Sequence, residues 1–284
     1  MRVACFTMVH NEGVFLPIWA RYYAAALGAE NLTVLDHGSD DGSLSRLPPE
    51  VGVVTLPRTE IDEFARADAV NAFKVMLQQY YDVVIYTDCD EIIVPDPSAY
   101  PGGLRQYCET CPPLVAPIGL NVLHMGEREG PLEADRPILR QRRFCRFASF
   151  YCKPLITREP VTWSPGFHHA DRKCHIARNV YLFHLKAVDR DVALQRHRYI
   201  RSSQWSESNL TKGTGRHQRV SDEAFIREYF TEPAAQLPGE GKPRFSFDDE
   251  INQLVASLRP GDLYVGADFL GKVRRRPKRF RDCF

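Results

Sequence analysis

The sequence predicts an α/β domain built on a mostly parallel sheet flanked by helices, followed by a helical C-terminal extension. Three observations lead there. Short apolar runs alternate with segments whose apolar residues recur at helical spacing. Their order is strand, helix, strand, strand, helix, strand, the pattern of parallel crossover units. Polar clusters at residues 10–12, 36–43 and 88–91 each begin where an apolar run stops. In parallel sheets ligands gather at the carboxyl ends of strands, so three such clusters define one candidate edge.

Each element follows from its local pattern. Residues 2–9 are an apolar strand that stops at His10, Asn11 and Glu12. Residues 14–27 carry Phe15, Ile18, Trp19, Tyr22, Tyr23 and Ala26 on one helical face, and Gly28 ends the helix. Residues 32–35 form a second strand running into a loop of turn formers, residues 36–43. Residues 51–56 are a third strand and residues 62–81 a helix bearing Phe64, Ala67, Val70, Phe73 and Leu77. A fourth strand, residues 82–87, ends in Asp88, Cys89, Asp90 and Glu91. Further on, residues 114–123, 152–156 and 179–184 are strand-like, residues 189–204 and 221–230 helical, and residues 231–245 a loop rich in Pro and Gly. The expected division is a catalytic domain over 1–215 and a helical extension with a basic tail over 216–284.

Composition narrows the function. The 284 residues are 44% hydrophobic and 26% charged, with a net charge of +1. No whole-protein field selects nucleic acid or acidic lipid. No apolar run reaches the roughly 18 residues of a membrane span, and the first apolar run meets His10 too soon for a signal peptide. The expected location is cytoplasmic. Eight scattered cysteines without an export signal read as thiols, and Cys108 and Cys111 lack the second pair that a structural zinc needs.

The acidic cluster carries the sharpest chemistry. Asp88 and Asp90, just past a strand, place two carboxylates where, with a diphosphate, they can hold Mg²⁺ or Mn²⁺. Such a cation offsets charge on a departing diphosphate. Asp36 follows Val34 and Leu35 directly, and a carboxylate there can accept from a uracil imide or a ribose hydroxyl. Each cluster alone is also explained as a capped turn.

Taken in order, Val9 to Glu12, Trp19, Gly28, Val34 to Asp36, Ser39 to Ser43 and Tyr86 to Glu91 resemble the family 2 glycosyltransferases, in the branch whose metal motif reads Asp-x-Asp-Glu. The likeness is specific through about residue 97 and returns partly at Cys152 to Ile156, Gly166 to His168 and Leu182 to Lys186. It implies a GT-A fold, a nucleotide-diphosphate sugar donor and Mn²⁺ or Mg²⁺. It implies that His10, Asn11 and Glu12 line the nucleotide pocket and that Asp36 contacts base or ribose. Asp88 then reaches ribose or metal, Asp90 binds the metal, and His184 stands near metal and diphosphate. Cys89 departs from the small residue usual there. Lys153, Lys186, Arg196 and Arg198 are candidate diphosphate partners, with Lys186 the closest to the motif. His168 and His169 are candidates to face the acceptor.

Family 2 enzymes generally invert the anomeric centre, which requires an acidic base for the acceptor hydroxyl. Glu127 is the expected base, with Glu129, Asp135 and Asp171 as rivals. The acceptor is a glycan, a lipid-linked or another hydroxyl. Two other functions fit the composition: a nucleotidyltransferase, which would need a Gly-rich basic loop after the first strand, and a non-catalytic glycan-binding protein. Residues 272–281 hold seven basic residues, Pro277 and no acid. They read as a mobile tail that either makes peripheral contact with the inner face of a membrane or folds back onto the protein.

Overall fold

A computed structural model describes residues 1–236, 245–257 and 269–284. Among these residues ten strands form one sheet: β1 (Val3–Val9), β2 (Leu32–Asp36), β3 (Gly52–Thr55), β4 (Val83–Tyr86), β5 (Glu91–Pro95), β6 (Leu114–Leu123), β7 (Phe144–Ala148), β8 (Ile156–Thr157), β9 (His175–His184) and β10 (Leu270–Arg275). The order is β10-β7-β6-β8-β4-β1-β2-β3, with β9 bridging β6 and β5. The unit β3-β2-β1-β4 is parallel throughout, as the strand–helix alternation predicts. Beyond it, β8, β6, β7 and β10 pair antiparallel in turn, while β9 runs parallel to β6 and antiparallel to β5.

The helices are α1 (Phe15–Leu27), α2 (Glu63–Leu77), α3 (Gly103–Thr110), α4 (Ile138–Gln141), α5 (Arg190–Ser202), α6 (Glu207–Lys212), α7 (Asp222–Ile226), α8 (Glu232–Ala235) and α9 (Asp248–Ser257). On α1, Phe15, Ile18, Trp19, Tyr23 and Leu27 are buried, the face the spacing predicts. Trp19 donates its indole N–H to Thr87 Oγ1 at 2.8 Å, and Tyr22 donates its hydroxyl to the Ile93 carbonyl at 2.5 Å. These two bonds lock α1 to the strand ends on either side of the acidic cluster. Gly28 closes the helix at φ 93°, a region that glycine enters without steric cost, and its N–H bonds the Ala24 carbonyl. Asp62 caps α2, accepting from the Phe64 and Ala65 amides at 2.8 and 3.1 Å.

Sequence periodicity and structure part company in the second half. Residues 91–95, where the sequence pattern predicts no element, form β5, because Ile92, Ile93 and Val94 are buried against β9. The strand expected over 152–156 shrinks to β8, with Ser149–Tyr151 in a 3₁₀ turn before it. The helix expected over 221–230 runs on through a π-helical turn, Arg227–Thr231, into α8. Residues 231–236, expected in a loop, are therefore mostly helical, while residues 237–244 lie outside the described residues.

The basic tail is not mobile. Its first half is β10, an edge strand on β7. Phe280 is fully buried against Tyr181 and Phe183, with ring centroids 5.4 and 5.7 Å away, and Phe284 packs on Phe183 and Tyr22. Several of the cations find partners: Arg279 with Asp96 at 2.7 Å, Arg274 with Glu250 at 2.6 Å and Arg276 with the Leu139 carbonyl. Asp282 at the end of the tail pairs with Arg140. These partners offset part of the mutual repulsion that predicts a mobile tail. Basic residues on an edge strand also deter pairing with another chain. No described helix is long and apolar enough to cross a membrane.

Candidate active site

The parallel pairing of β1, β2 and β4 brings their carboxyl ends to one edge, and a cavity of about 790 Å³ opens there. Its wall includes residues from all three polar clusters singled out in the sequence, although Asp36 itself does not line it.

At the end of β1 the chain turns through Asn11, which holds φ 55°. This left-handed residue is stabilised by the loop after β2. Ser39 Oγ accepts from the Asn11 amide at 3.0 Å. The Asn11 side chain donates to the Asp40 carboxylate at 2.8 Å and accepts from the Asp40 amide at 2.9 Å. Asp41 accepts from the Gly13 amide at 3.1 Å. The acidic turn after β2 thus shapes the loop after β1. Asp36 takes part in the same construction: it is 2% exposed and its Oδ1 accepts from the Ser39 amide at 2.9 Å. Asp36 is thus buried off the cavity wall and takes part in its own turn. His37 reaches the cavity instead, beside His10, Arg58, Thr59 and Tyr199. The Tyr199 hydroxyl and His10 Nε2 are 2.7 Å apart.

The acidic cluster is drawn into two charge networks. Asp88 Oδ1 accepts from Arg66 and from the Tyr86 hydroxyl, the latter at 3.0 Å. Its Oδ2 lies 3.4 Å from Lys153 Nζ, which donates to Glu91 at 2.5 Å. Burial pushes the Asp88 carboxyl up, but Arg66 and Lys153 outweigh burial and hold it well below the ordinary carboxylate range. Burial likewise opposes the charge on Lys153, and Glu91 and Asp88 outweigh it. The second network joins β1 to the turn before β5. Arg196, on α5, donates to Glu12 at 2.6 Å and to Asp90 Oδ2 at 3.0 Å. Burial raises the Asp90 carboxyl, yet Arg196 brings it below its usual value.

Strand pairing places His184. Glu91 faces His184 across β5 and β9, and Asn121 faces it across β6 and β9. The Leu185 amide bonds the Asp90 carbonyl at 2.8 Å, which fixes the two chain segments together. His184 Nδ1 lies 2.8 Å from Asn121 Oδ1, and its Nε2 lies 3.6 Å from Asp90 Oδ2. An amide oxygen only accepts, so Nδ1 carries the proton and Nε2 turns a lone pair toward Asp90. Burial drives the imidazole pKa down to about 3, so the ring is neutral. Tyr151 stacks on it with centroids 3.9 Å apart.

Beyond His184, Lys186 Nζ is 3.3 Å from the Tyr229 hydroxyl and 4.7 Å from the centre of that ring. Burial, aided by Arg196, lowers the ammonium pKa to about 8. His168 lines the same region. Its Nδ1 donates to the Phe150 carbonyl at 2.7 Å, and burial with Lys153 takes its pKa to about 4.

The other candidates fall elsewhere. Arg198 pairs with Asp222 at 2.6 Å on the surface. Glu129 accepts from the Met125 and Arg143 amides and is structural. Asp135 is exposed, and Asp171 pairs with Arg172. Glu127 lies in the 3₁₀ turn Gly126–Arg128. Arg66, Asn121, Tyr199 and Glu228 escaped the sequence reading. Only Arg66 left a trace, as a cation one turn into a helix that starts beside the sheet edge.

No family model matches the chain, and no curated protein matches it. Solved structures similar to it include glucosyl-3-phosphoglycerate synthase from Mycobacterium tuberculosis in complex with Mn²⁺ and UDP-glucose. That match is 20% identical, covers 42% of this chain and 43% of that chain, and has a TM-score of 0.30. The chain thus spans less than half the length of that protein. S. aureus TarS 1–349 is 11% identical, with 90% of this chain and 79% of that one covered and a TM-score of 0.40. Mannose-1-phosphate geranyltransferase from Thermus thermophilus is 12% identical, with 82% and 72% covered and a TM-score of 0.31.

Proposed function

We propose that the chain transfers a sugar from a nucleotide-diphosphate donor to an acceptor hydroxyl, with a divalent cation at Asp90 and His184 and inversion at the anomeric carbon. The observation that carries this reading is the approach of Asp90 Oδ2 and His184 Nε2 to 3.6 Å on the wall of the cavity. A carboxylate and an imidazole lone pair converge there, held by strand register and by Asn121. Among the described residues no cluster of three or more His, Cys, Asp or Glu side chains forms. Mn²⁺ or Mg²⁺ held by Asp90 and His184 would need phosphate oxygens and water to complete the shell. A cation held so would offset the charge that grows on the departing diphosphate.

The chain's own residues divide the remaining work. His10, His37 and Tyr199 offer ring faces and polar edges for the nucleoside, with Asn11 shaping that end. Glu12 acts through Arg196, which it orients toward Asp90. Arg196 and Lys186 are the cations for the diphosphate. Asp88 fixes Arg66 and Lys153 beside the site. The wall around the reacting bond is largely buried, which strengthens each of these charges relative to water.

The test is a thermal-shift panel of nucleotide sugars and free nucleoside diphosphates, each with and without Mn²⁺, followed by turnover of the donor that stabilises most. The reading expects one donor to raise the melting temperature only when Mn²⁺ is present, and to be consumed. No shift with any nucleotide, or shifts indifferent to Mn²⁺, would refute it.

A further inference from the structure

The expected acid for the acceptor, Glu127, lies on the short turn Gly126–Arg128, and most carboxylates of the cavity wall are already engaged. Glu12, Glu63, Asp88, Asp90 and Glu91 are each bound to a cation. Asp62 caps α2, and Glu60 accepts from Gln204. Glu228, like Glu60, lines the cavity, is exposed and has no ion pair among the described residues, but its neighbour Tyr229 contacts Lys186, two residues beyond His184.

Its backbone is unusual as well. Glu228 sits in the π-helical turn Arg227–Thr231, a rare geometry that concentrates at functional sites. The wide turn buries Tyr229 and Phe230 in succession while Glu228 and Tyr229 both reach the cavity wall. The turn is anchored from below. Phe225 stacks on His197 with centroids 4.2 Å apart, and Phe225 and Tyr229 pack at 4.9 Å. Tyr229 in turn touches Lys186, two residues beyond His184. Glu228 therefore lines the cavity next to the residue that contacts Lys186. Lys186 and Arg146 are the cations whose charge reaches it, and neither forms an ion pair with it. The neighbouring Tyr229 side chain hydrogen-bonds it. A carboxylate has about four lone-pair sites, so one such bond leaves it open to a hydroxyl.

We infer that Glu228 is the catalytic base for the acceptor hydroxyl, an inference that rests on the transferase reading above. In the step, the acceptor oxygen forms the new bond to the anomeric carbon while the bond from that carbon to the diphosphate oxygen breaks. The hydroxyl proton passes to the Glu228 carboxylate, and the bonding pair leaves with the nucleotide diphosphate. General-base assistance of this kind contributes on the order of 10²–10⁴-fold.

The experiment follows consumption of the donor selected by the thermal-shift panel, with Mn²⁺ and with water in the acceptor's place. Wild type, Glu228→Gln, Glu228→Ala and Glu127→Gln are compared, each with and without sodium azide. Azide attacks without losing a proton, so it bypasses a missing base. Glu228→Gln and Glu228→Ala should keep the melting temperature and the donor Kd and lose about 10²-fold or more in kcat. Azide should restore donor consumption in Glu228→Ala with formation of the glycosyl azide. A Glu228→Gln variant within about threefold of wild type, well short of the loss general-base removal brings, or a loss that azide does not relieve, would overturn the assignment. So would loss and rescue in Glu127→Gln instead. Wild type that binds and consumes no donor would sink the transferase reading itself, and the base with it.

Discussion

His184 Nδ1 is 2.8 Å from Asn121 Oδ1, and this single contact orients the opposite ring nitrogen toward Asp90. Outer partners of this kind fix the tautomer of a ligating histidine and raise its basicity. The residues come from β6, β9 and the turn before β5, and the sheet's register brings them together.

Asn121→Ala should therefore weaken Mn²⁺ binding by about 10–100-fold, measured by calorimetric titration of Mn²⁺ into protein saturated with nucleoside diphosphate. Asp90→Asn should abolish the Mn²⁺-dependent component altogether. Mn²⁺ affinity that is unchanged in Asn121→Ala would separate the histidine from the cation.

A second expectation concerns pH. His168 has a folded pKa of about 4 against an ordinary value of 6.5. Between those values the unfolded chain binds a proton that the folded chain does not. The stability contribution should therefore be at its full value above pH 6.5 and fall as pH drops from about 6.5 to about 4. His184 acts in the same direction, from 6.5 down to about 3. Urea unfolding across this range should show the decline, and His168→Gln should flatten its upper part. An identical pH slope in wild type and variant would contradict the burial argument for His168.

The tail offers a third test. Phe280 is fully buried between Tyr181 and Phe183, so Phe280→Ala should cost about 3–5 kcal/mol of unfolding free energy. Removal of residues 270–284 should destabilise the sheet as a whole, because β10 and both phenylalanines go with it. A mobile tail would allow truncation with no change in the denaturant midpoint.

Much of this molecule is written locally. The burial of Phe15, Trp19 and Tyr23 follows from a 3.6-residue period, Gly28 from the need for a left-handed stop, and Asp62 from the capping of α2. The parallel unit follows because strand and helix patterns alternate over roughly the first 90 residues. Short-range chemistry also exposes Asp88 and Asp90, since carboxylates directly after an apolar strand stand at the edge where ligands bind.

What those patterns could not carry is pairing across long distances in sequence. Asp36 has the right strand end for a nucleoside contact, yet the fold buries it off the cavity wall, with the Ser39 amide on its Oδ1. The Asp40–Asn11 and Arg196–Glu12 contacts span 29 and 184 residues. Asn121 reads as an interruption in an apolar strand until β9 places His184 beside it. The basic run at the C-terminus repels itself as an isolated peptide and folds once Asp96 and Glu250 face it. Periodicity and turn chemistry act over a few residues, so they determine the elements and the edge where chemistry gathers. Which charges neutralise one another, and which carboxylate is left open to a substrate, depends on the register of a ten-stranded sheet whose mates are far apart along the chain.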